Sequence, residues 1–286
     1  MQTLLSAPIA RFAPALLALV LAAGCQDKTE VSVTKAKEHA DFLAAKARQD
    51  VAEVRQGLPE GAKHLRAVFE GEGPPQENPQ EVRRLLERAR EKVQDLRVAK
   101  STFFAVTDKD GLILRNDRDQ DLMVGKNLYA SFPEARQALG KYTETHGSMP
   151  EAAGVKGRAD AQWVAAQPIQ VGGETKGLYV TGWSWSAYAY RLETALRSEV
   201  TSQASESEAK VPLLYVYVVV GDAAYGAPIS PDVNAKAIVD AKPWSALDGG
   251  VFARAIEIEG REFGLAVRPV QELGPKVAVA VLRSET

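Results

Sequence analysis

The apolar residues in the first third of the chain recur every three or four positions, which is the period of an amphipathic α-helix. The clearest stripe predicts one long helix ending near Gln56, and it comprises Val33, Ala36, Ala40, Leu43, Ala47, Val51 and Val54. Gly57, Pro59 and Gly61 follow, and residues of these types are expected to end that helix. Because a second stripe predicts a further helix after it, residues 26–100 are expected to form a helical stalk or hairpin.

From residue 101 onward the period shortens to two, which is typical of β-strands with one buried face. Strands are predicted at 103–108, 112–116, 161–171, 177–185, 213–220, 251–258, 262–271 and 276–282, and short helices at 133–139, 186–204 and 233–241. The segment 140–160 shows no clear period, so we expect a long irregular connection there. The Ser- and Glu-rich segment 201–210 is a candidate linker between domains. This order of elements predicts an α+β fold with antiparallel sheets.

The second part of the chain contains an internal repeat. Pro168–Val180 aligns without gaps on Ala255–Val267, with Ile, Gly, Gly, Leu and Val at the same offsets. Each copy follows an apolar strand, a turn and a short helix, so the sequence predicts two units with the element order β-β-α-β-β-β. We place the first unit at residues 101–204 and the second at residues 205–286.

Composition and charge exclude several classes of function. Of the 286 residues, 35 are Lys or Arg and 37 are Asp or Glu, which gives a formal net charge of -2. Because a nucleic-acid binder normally shows a basic excess, no nucleic-acid partner is expected. His39, His64 and His146 are scattered along the chain, and no G-x-S-x-G nucleophile motif is present. We therefore expect no metal, no cofactor and no catalytic residue.

The single cysteine, Cys25, ends an apolar run of signal-peptide length that begins at Phe12. Leu21-Ala-Ala-Gly-Cys25 resembles the lipobox of bacterial lipoproteins, in which the cysteine is lipidated and becomes the mature N-terminus. The alternatives are an ordinary secretory signal or an apolar helix with a buried cysteine. The resemblance implies that residues 1–25 are a signal peptide. It also implies that acyl chains such as palmitate on Cys25 anchor the protein in the bacterial envelope, facing the periplasm or the exterior.

A second resemblance covers about residues 31–286. Three features are similar to the extracytoplasmic Cache sensor domain: the long first helix, the segment Phe103-Phe-Ala-Val-Thr-Asp-Lys-Asp-Gly-Leu-Ile-Leu114, and the segment Val124-Gly-Lys-Asn-Leu128. Gly177-Leu-Tyr-Val-Thr-Gly182 resembles its closing strand, and the second unit extends the likeness to a double Cache module. The resemblance implies a PAS-like small-molecule pocket, usually in the membrane-distal unit, and no catalysis. The chain lacks the Arg-x-Trp-Tyr signature of amino-acid-binding members.

Aromatic residues mark one face of the predicted sheet in the first unit. Strand alternation places them on two neighbouring strands, and the candidate ligand-binding residues there are Trp163, Gln167, Tyr179, Trp183 and Trp185. These side chains either line an aromatic pocket or form plain core between the sheet and the helices. Arg158, in the long connection, is a candidate clamp for a ligand carboxylate, and its alternative is an exposed side chain.

Two hypotheses about function remain open. The first is a lipid-anchored sensory module that binds a small organic, anionic ligand in its first unit and signals through a separate receptor or enzyme. The second is a structural or assembly lipoprotein whose PAS-like units dock other proteins. The stripe on the first helix is a candidate surface for a second copy or a receptor, and it can equally pack on its own domain.

Overall fold

The computed structural model describes residues 27–71, 73–150, 159–207, 210–247 and 250–285. Its first element is a continuous helix of 37 residues, α1, at Lys28–His64. The prediction that Gly57, Pro59 and Gly61 end this helix is therefore wrong. Both glycines lie where the helix touches neighbouring side chains closely, since a Cβ on Gly57 or Gly61 would come within 3.0 Å of Leu96. They serve close packing rather than chain termination.

The remaining elements follow the predicted order. The helices are α2 (Ala67–Glu70), α3 (Pro79–Lys92), α4 (Gln94–Val98), α5 (Leu128–Ser131), α6 (Trp185–Ser207) and α7 (Asp232–Asp240). The strands are β1 (Phe103–Asp108), β2 (Ile113–Asn116), β3 (Thr143–Pro150), β4 (Ala159–Val171), β5 (Glu174–Ser184), β6 (Leu213–Val220), β7 (Ala223–Gly226), β8 (Phe252–Ile258), β9 (Arg261–Pro269) and β10 (Val277–Ser284). Short 3-10 helices lie at Pro75–Glu77, Pro133–Leu139, Pro243–Ser245 and Gln271–Leu273.

The strands form two antiparallel five-stranded sheets with the same topology. Their orders are β2-β1-β5-β4-β3 and β7-β6-β10-β9-β8, which confirms two units of β-β-α-β-β-β type. The residue alignment behind that prediction is wrong by one strand, because it matches the β4–β5 hairpin with the β8–β9 hairpin. By position in the sheet, β9 and β10 are the counterparts of β4 and β5. Hairpins of apolar strands joined by a glycine turn have similar sequences. An alignment shifted by one strand therefore still matches the same residue types.

Two segments that the pattern left irregular are regular. Thr143–Pro150 forms β3, which pairs along its whole length with β4. Its polar sequence hides the strand because β3 lies at the edge of its sheet. The proposed linker at 201–210 is largely helical, since α6 continues to Ser207 and buries Val200 and Ala204. Most of the proposed linker is therefore part of a helix that packs on β6 of the second unit.

The helix α1 packs across both sheets. Near its N-terminus the backbone of Ser32 lies against Gly264 in β9, and near its C-terminus Gly61 contacts Tyr179 in β5. Apart from the half-buried Val33, the residues of the predicted stripe have no exposed surface and belong to one core cluster that runs through both units. The stripe thus packs on its own domain, and α1 is part of the core rather than a stalk. Any partner of α1 would contact its outer face.

Each sheet also buries its opposite face. In the first unit that face packs on the 3-10 helix Pro133–Leu139, where Phe132 and Met149 are fully buried. In the second unit it packs on α7, around Ile238. Within the described residues, no helix combines the length and the hydropathy that a membrane crossing requires.

Candidate functional site

The predicted aromatic face of the first unit faces α1 and is solid core. Trp163 pairs with Trp183 and Gln167 with Tyr179 across β4 and β5, so the predicted assignment of these residues to one face is confirmed. Trp163, Tyr179 and Trp183 are at most 1% exposed. The indole rings of Trp163 and Trp183 stack with centroids 4.1 Å apart. These aromatic side chains therefore pack as core between the sheet and the helices, as the alternative to a ligand pocket predicted.

The stack continues to a buried carboxyl group on α1. Tyr188 stacks on Trp183 with ring centroids 4.8 Å apart, and its hydroxyl donates a hydrogen bond of 2.9 Å to Oδ2 of Asp50. Burial raises the pKa of Asp50, while the bond from Tyr188 opposes that shift. A line of stacked rings therefore joins the interior of the first sheet to a carboxyl group held between α1 and α6.

The other candidate residues are placed apart from this stack. The prediction that Trp185 continues the strand face is wrong, because β5 ends at Ser184 and Trp185 begins α6. Its buried ring meets the His146 ring edge-on with centroids 5.4 Å apart. Gln167 is half-buried, directly across from Tyr179. Arg158 and Cys25 lie outside the described residues, so their predicted roles remain predictions.

A cleft of about 640 Å³ lies where the two units meet α1. One side is formed by the edge strand β3 and the 3-10 helix Pro133–Leu139 of the first unit, and the other by the 3-10 helix Gln271–Leu273 of the second unit. The side chains that give the cleft its chemistry are Arg55, Glu134, Glu144, Thr145, His146, Trp163 and Gln271. Its volume is typical of small-ligand sites.

The guanidinium group of Arg55 fixes one end of the cleft. Its Nε and one Nη donate to both carboxylate oxygens of Glu144 at 2.7 and 2.9 Å, and the same Nη donates to the carbonyl of Glu272 at 2.9 Å. The bond to Glu144 raises the pKa of Arg55. The hydroxyl of Tyr142 also donates to Glu144, at 2.8 Å, and burial raises the pKa of that phenol. One arginine on α1 thus ties the first unit to the second.

His146 makes a second tie between the units. Its Nε2–H donates to the carbonyl oxygen of Leu273 at 2.6 Å. Gly274, the next residue, has a φ of 139° and lies so close that a Cβ there would be 2.9 Å from the imidazole ring. A side chain at this position would strain the backbone and push against the ring, so the close approach depends on glycine.

The cleft brings together groups of both charges. Beyond its pair with Glu144, Arg55 has a second Nη suited to a carboxylate oxygen, while Glu134 offers an acceptor suited to an amino group. Glu134 is held by a 3.1 Å bond from the hydroxyl of Thr145. Across the described ranges, no group of three or more His, Cys, Asp or Glu residues is placed to hold a metal ion. The arrangement can bind a polar small molecule through ionic hydrogen bonds.

Sequence analysis identified Trp163 but not the other residues of this cleft. His146, Glu144 and Thr145 lie in β3, which the sequence pattern did not predict as a strand. Arg55 was placed on a helix, but nothing in the sequence indicated that it faces Glu144, 89 positions away. The one feature of the sequence that indicated this region was the long connection at 140–160 in the first unit, which contains His146 and Glu144.

No family model and no curated protein matches the chain. Among solved structures, the fold is similar to the extracellular domain of vpHK1S-Z8, described as a histidine kinase, with a TM-score of 0.58, 9% identity, and 90% of this chain and 92% of that chain covered. The ligand-binding domain of the Pseudomonas fluorescens chemoreceptor CtaA, in complex with L-alanine, gives a TM-score of 0.50 and 14% identity, with 91% and 98% covered. That of Pseudomonas aeruginosa PctB, in complex with L-Arg, gives 0.51 and 16%, with 87% and 86% covered.

These comparisons establish the class of fold. The chain has the double Cache, PAS-like fold found in sensor domains of histidine kinases and chemoreceptors. The match extends over both units and the long first helix, as the resemblance in the sequence implied.

Proposed function

We propose that this chain is an extracytoplasmic sensory module that binds a small organic ligand in the cleft between its two units. The observation that carries the proposal is the convergence of α1, β3 and the Gln271–Leu273 helix on one cleft with ionic side chains. A ligand at this place touches both units and α1, the helix that packs across them. Its binding energy can therefore bias their relative arrangement, which is what a sensor requires.

The charges of the cleft favour a ligand that carries a carboxylate and an amino group. The second Nη of Arg55 makes no hydrogen bond to a described residue, and the Arg55 side chain is 44% exposed. This Nη can donate to a ligand carboxylate without breaking the pair between Arg55 and Glu144. Glu134, on the 3-10 helix Pro133–Leu139, also lines the cleft, and its carboxylate suits an ammonium group. CtaA and PctB, which share the fold, are described in complex with amino acids.

The module is held at the membrane by acyl chains on Cys25 and acts through a separate partner rather than by catalysis. The run Leu21-Ala-Ala-Gly-Cys25 supports the anchor. A single acyl chain binds membranes only marginally, so stable attachment needs the several chains of a mature lipoprotein. The solid core at Trp163, Trp183 and Tyr179 favours the alternative, a scaffold lipoprotein that docks proteins and binds no ligand.

A thermal-shift screen separates these two functions. The purified chain is scanned against amino acids and against carboxylic acids of the same size without the amino group. A ligand at a hundredfold excess over its Kd adds about 2.7 kcal/mol to the stability of the folded state, which is readily measured as a rise in Tm. We expect amino acids to raise the Tm and the matching acids to raise it less.

Two variants locate the binding site. Glu134→Gln removes the acceptor proposed for the amino group, and Glu174→Gln removes an exposed carboxylate on β5 outside the cleft. We expect the first to reduce the ligand-induced shift and the second to leave it unchanged. If no compound shifts the Tm, the scaffold function is favoured. If Glu134→Gln keeps the full shift, the ligand binds elsewhere in the molecule.

A further inference from the structure

A separate cavity, of about 340 Å³, is lined mainly by residues of α1 and α6 and includes Asp50. Its polar lining comes from Lys46 and Asp50 on α1, Lys100 before β1, and Arg191 on α6. We propose that this cavity is a separate binding site for a small organic anion with an apolar or aromatic body. This site is independent of the cleft between the units and shares no lining residue with it.

Three cations line this cavity without bonded counter-ions among the described residues. Nη1 of Arg191 is buried and has no hydrogen-bond partner there. Lys46 and Lys100 form no salt bridge with any residue of the described ranges. A buried guanidinium N–H without an acceptor is costly, and a bound anion would supply the acceptor. Burial lowers the pKa of the Arg191 guanidinium, Asp50 opposes that shift, and the positive charges of Arg118 and Arg90 add to it.

The nearby carboxylates compensate this positive charge only in part, since the charge of Asp50 opposes the lowering of the Arg191 pKa without forming a bond to it. Asp50 accepts the hydroxyl of Tyr188 at 2.9 Å and forms no salt bridge with Arg191 in the described structure. Glu53, one turn further along α1, lies outside the cavity lining and accepts a bond from Gln49. Both carboxylates would repel an anion placed beside them. The anion is therefore expected to bind to Arg191 and the two lysines and to leave the bond between Asp50 and Tyr188 in place.

The apolar residues that line the cavity indicate that the anion has an apolar or aromatic body. The ring of Tyr190, which is 53% exposed, stands with Leu192 and Ala195 along the α6 side. Apolar walls beside convergent charges are the general form of a site for organic acids, whereas a bare inorganic anion would leave this surface in contact with water. The site should prefer an aromatic carboxylate or phosphate over inorganic phosphate.

The stacked rings next to this cavity provide a way to detect binding by tryptophan fluorescence. Asp50 holds Tyr188, which stacks on Trp183 at 4.8 Å. An anion in the same cavity as Asp50 changes the field at this pair, so its binding is expected to change tryptophan fluorescence.

The test uses benzoate and phenyl phosphate as probes, with benzyl alcohol as the uncharged control and inorganic phosphate as the bare anion. Each is titrated into the purified chain while tryptophan fluorescence is recorded, and isothermal calorimetry gives the Kd. The proposal expects benzoate or phenyl phosphate to bind at least about tenfold more tightly than benzyl alcohol and inorganic phosphate, since a hydrogen bond to a charged group contributes that much. Equal binding of benzyl alcohol, or no binding of any probe, would overturn it.

Variants then test the position of the site. Arg191→Gln and the partly exposed Lys46→Gln should each weaken binding about tenfold. Arg48→Gln, two residues from Lys46 on the exposed side of α1, is the matched control and should leave the Kd unchanged. Lys100→Gln, at an exposed position, keeps the test decisive if Arg191→Gln does not fold. An equal loss in Arg48→Gln would show general attraction to the surface and refute the assignment. Retained binding in all three cavity variants would also refute it.

Discussion

Substituting Gly61 by alanine tests whether the glycines of α1 are there for packing. In the middle of a helix, Gly→Ala normally stabilises by about 1 kcal/mol, because alanine has the better helix propensity. At Gly61 the added methyl group would lie 2.5 Å from Cδ1 of Leu96 and 2.6 Å from Cε1 of Tyr179. Both neighbours have no exposed surface, so neither can move into solvent.

The size of the effect follows from these two contacts. Overpacking a closed core costs about 1–3 kcal/mol, and the upper end applies here because the Tyr179 ring is fixed between α1 and its own strand. Subtracting the propensity gain of about 1 kcal/mol leaves a net destabilisation of about 1–2 kcal/mol. That corresponds to a fall in Tm of roughly 2–8 °C for a chain of this size.

Urea unfolding followed by circular dichroism measures the change, with Gly140→Ala as the control. A Cβ added at Gly140 would have no neighbour closer than 3.8 Å, so this substitution should be close to neutral. Shortening Leu96 to alanine in the Gly61→Ala background should recover part of the loss relative to the two single variants, as expected for residues in contact. If Gly61→Ala stabilises the protein, the close contacts of α1 with Leu96 and Tyr179 are not those described.

Three further predictions test other parts of the structure. Burial raises the pKa of Asp50, so its carboxyl favours folding below its ordinary pKa and loses that contribution as the pH rises through the folded-state value. Asp50→Asn, which can still accept the Tyr188 hydroxyl, should therefore gain stability relative to the parent in urea titrations as the pH rises above the ordinary aspartate pKa of about 3.9, and a difference that stays constant with pH would contradict this. Gly274→Ala should destabilise by about 1–3 kcal/mol through its positive φ and its contact with His146, measured by the same titrations. Cys25→Ser should abolish incorporation of a clickable fatty acid, and undiminished label would exclude lipidation at this residue.

Most of the fold could be predicted from the period of the apolar residues. The strands Phe103–Asp108 and Leu213–Val220 match their predicted bounds, because each buries several consecutive side chains. The strand Thr143–Pro150 could not be predicted in this way, since an edge strand with a polar sequence carries little periodic signal. The continuation of the helix through Gly57–Gly61 could not be predicted, because the local signal there was misleading rather than weak. Its glycines signal a break locally, while the packing that requires them comes from residues distant in sequence.

The candidate site could be predicted only in part, since periodicity identifies a buried face without identifying what covers it. Alternation on β4 and β5 correctly grouped Trp163, Tyr179 and Trp183, and a ligand or a helix could equally cover such a face. What decides between them is the length of α1. A helix of 37 residues spans about 55 Å, enough to cross both sheets, and it occupies the aromatic face of the first. Arg55 in the cleft and Lys46 in the cavity beside α6 lie along this helix, and a ligand bound at either place contacts the element that packs across both units.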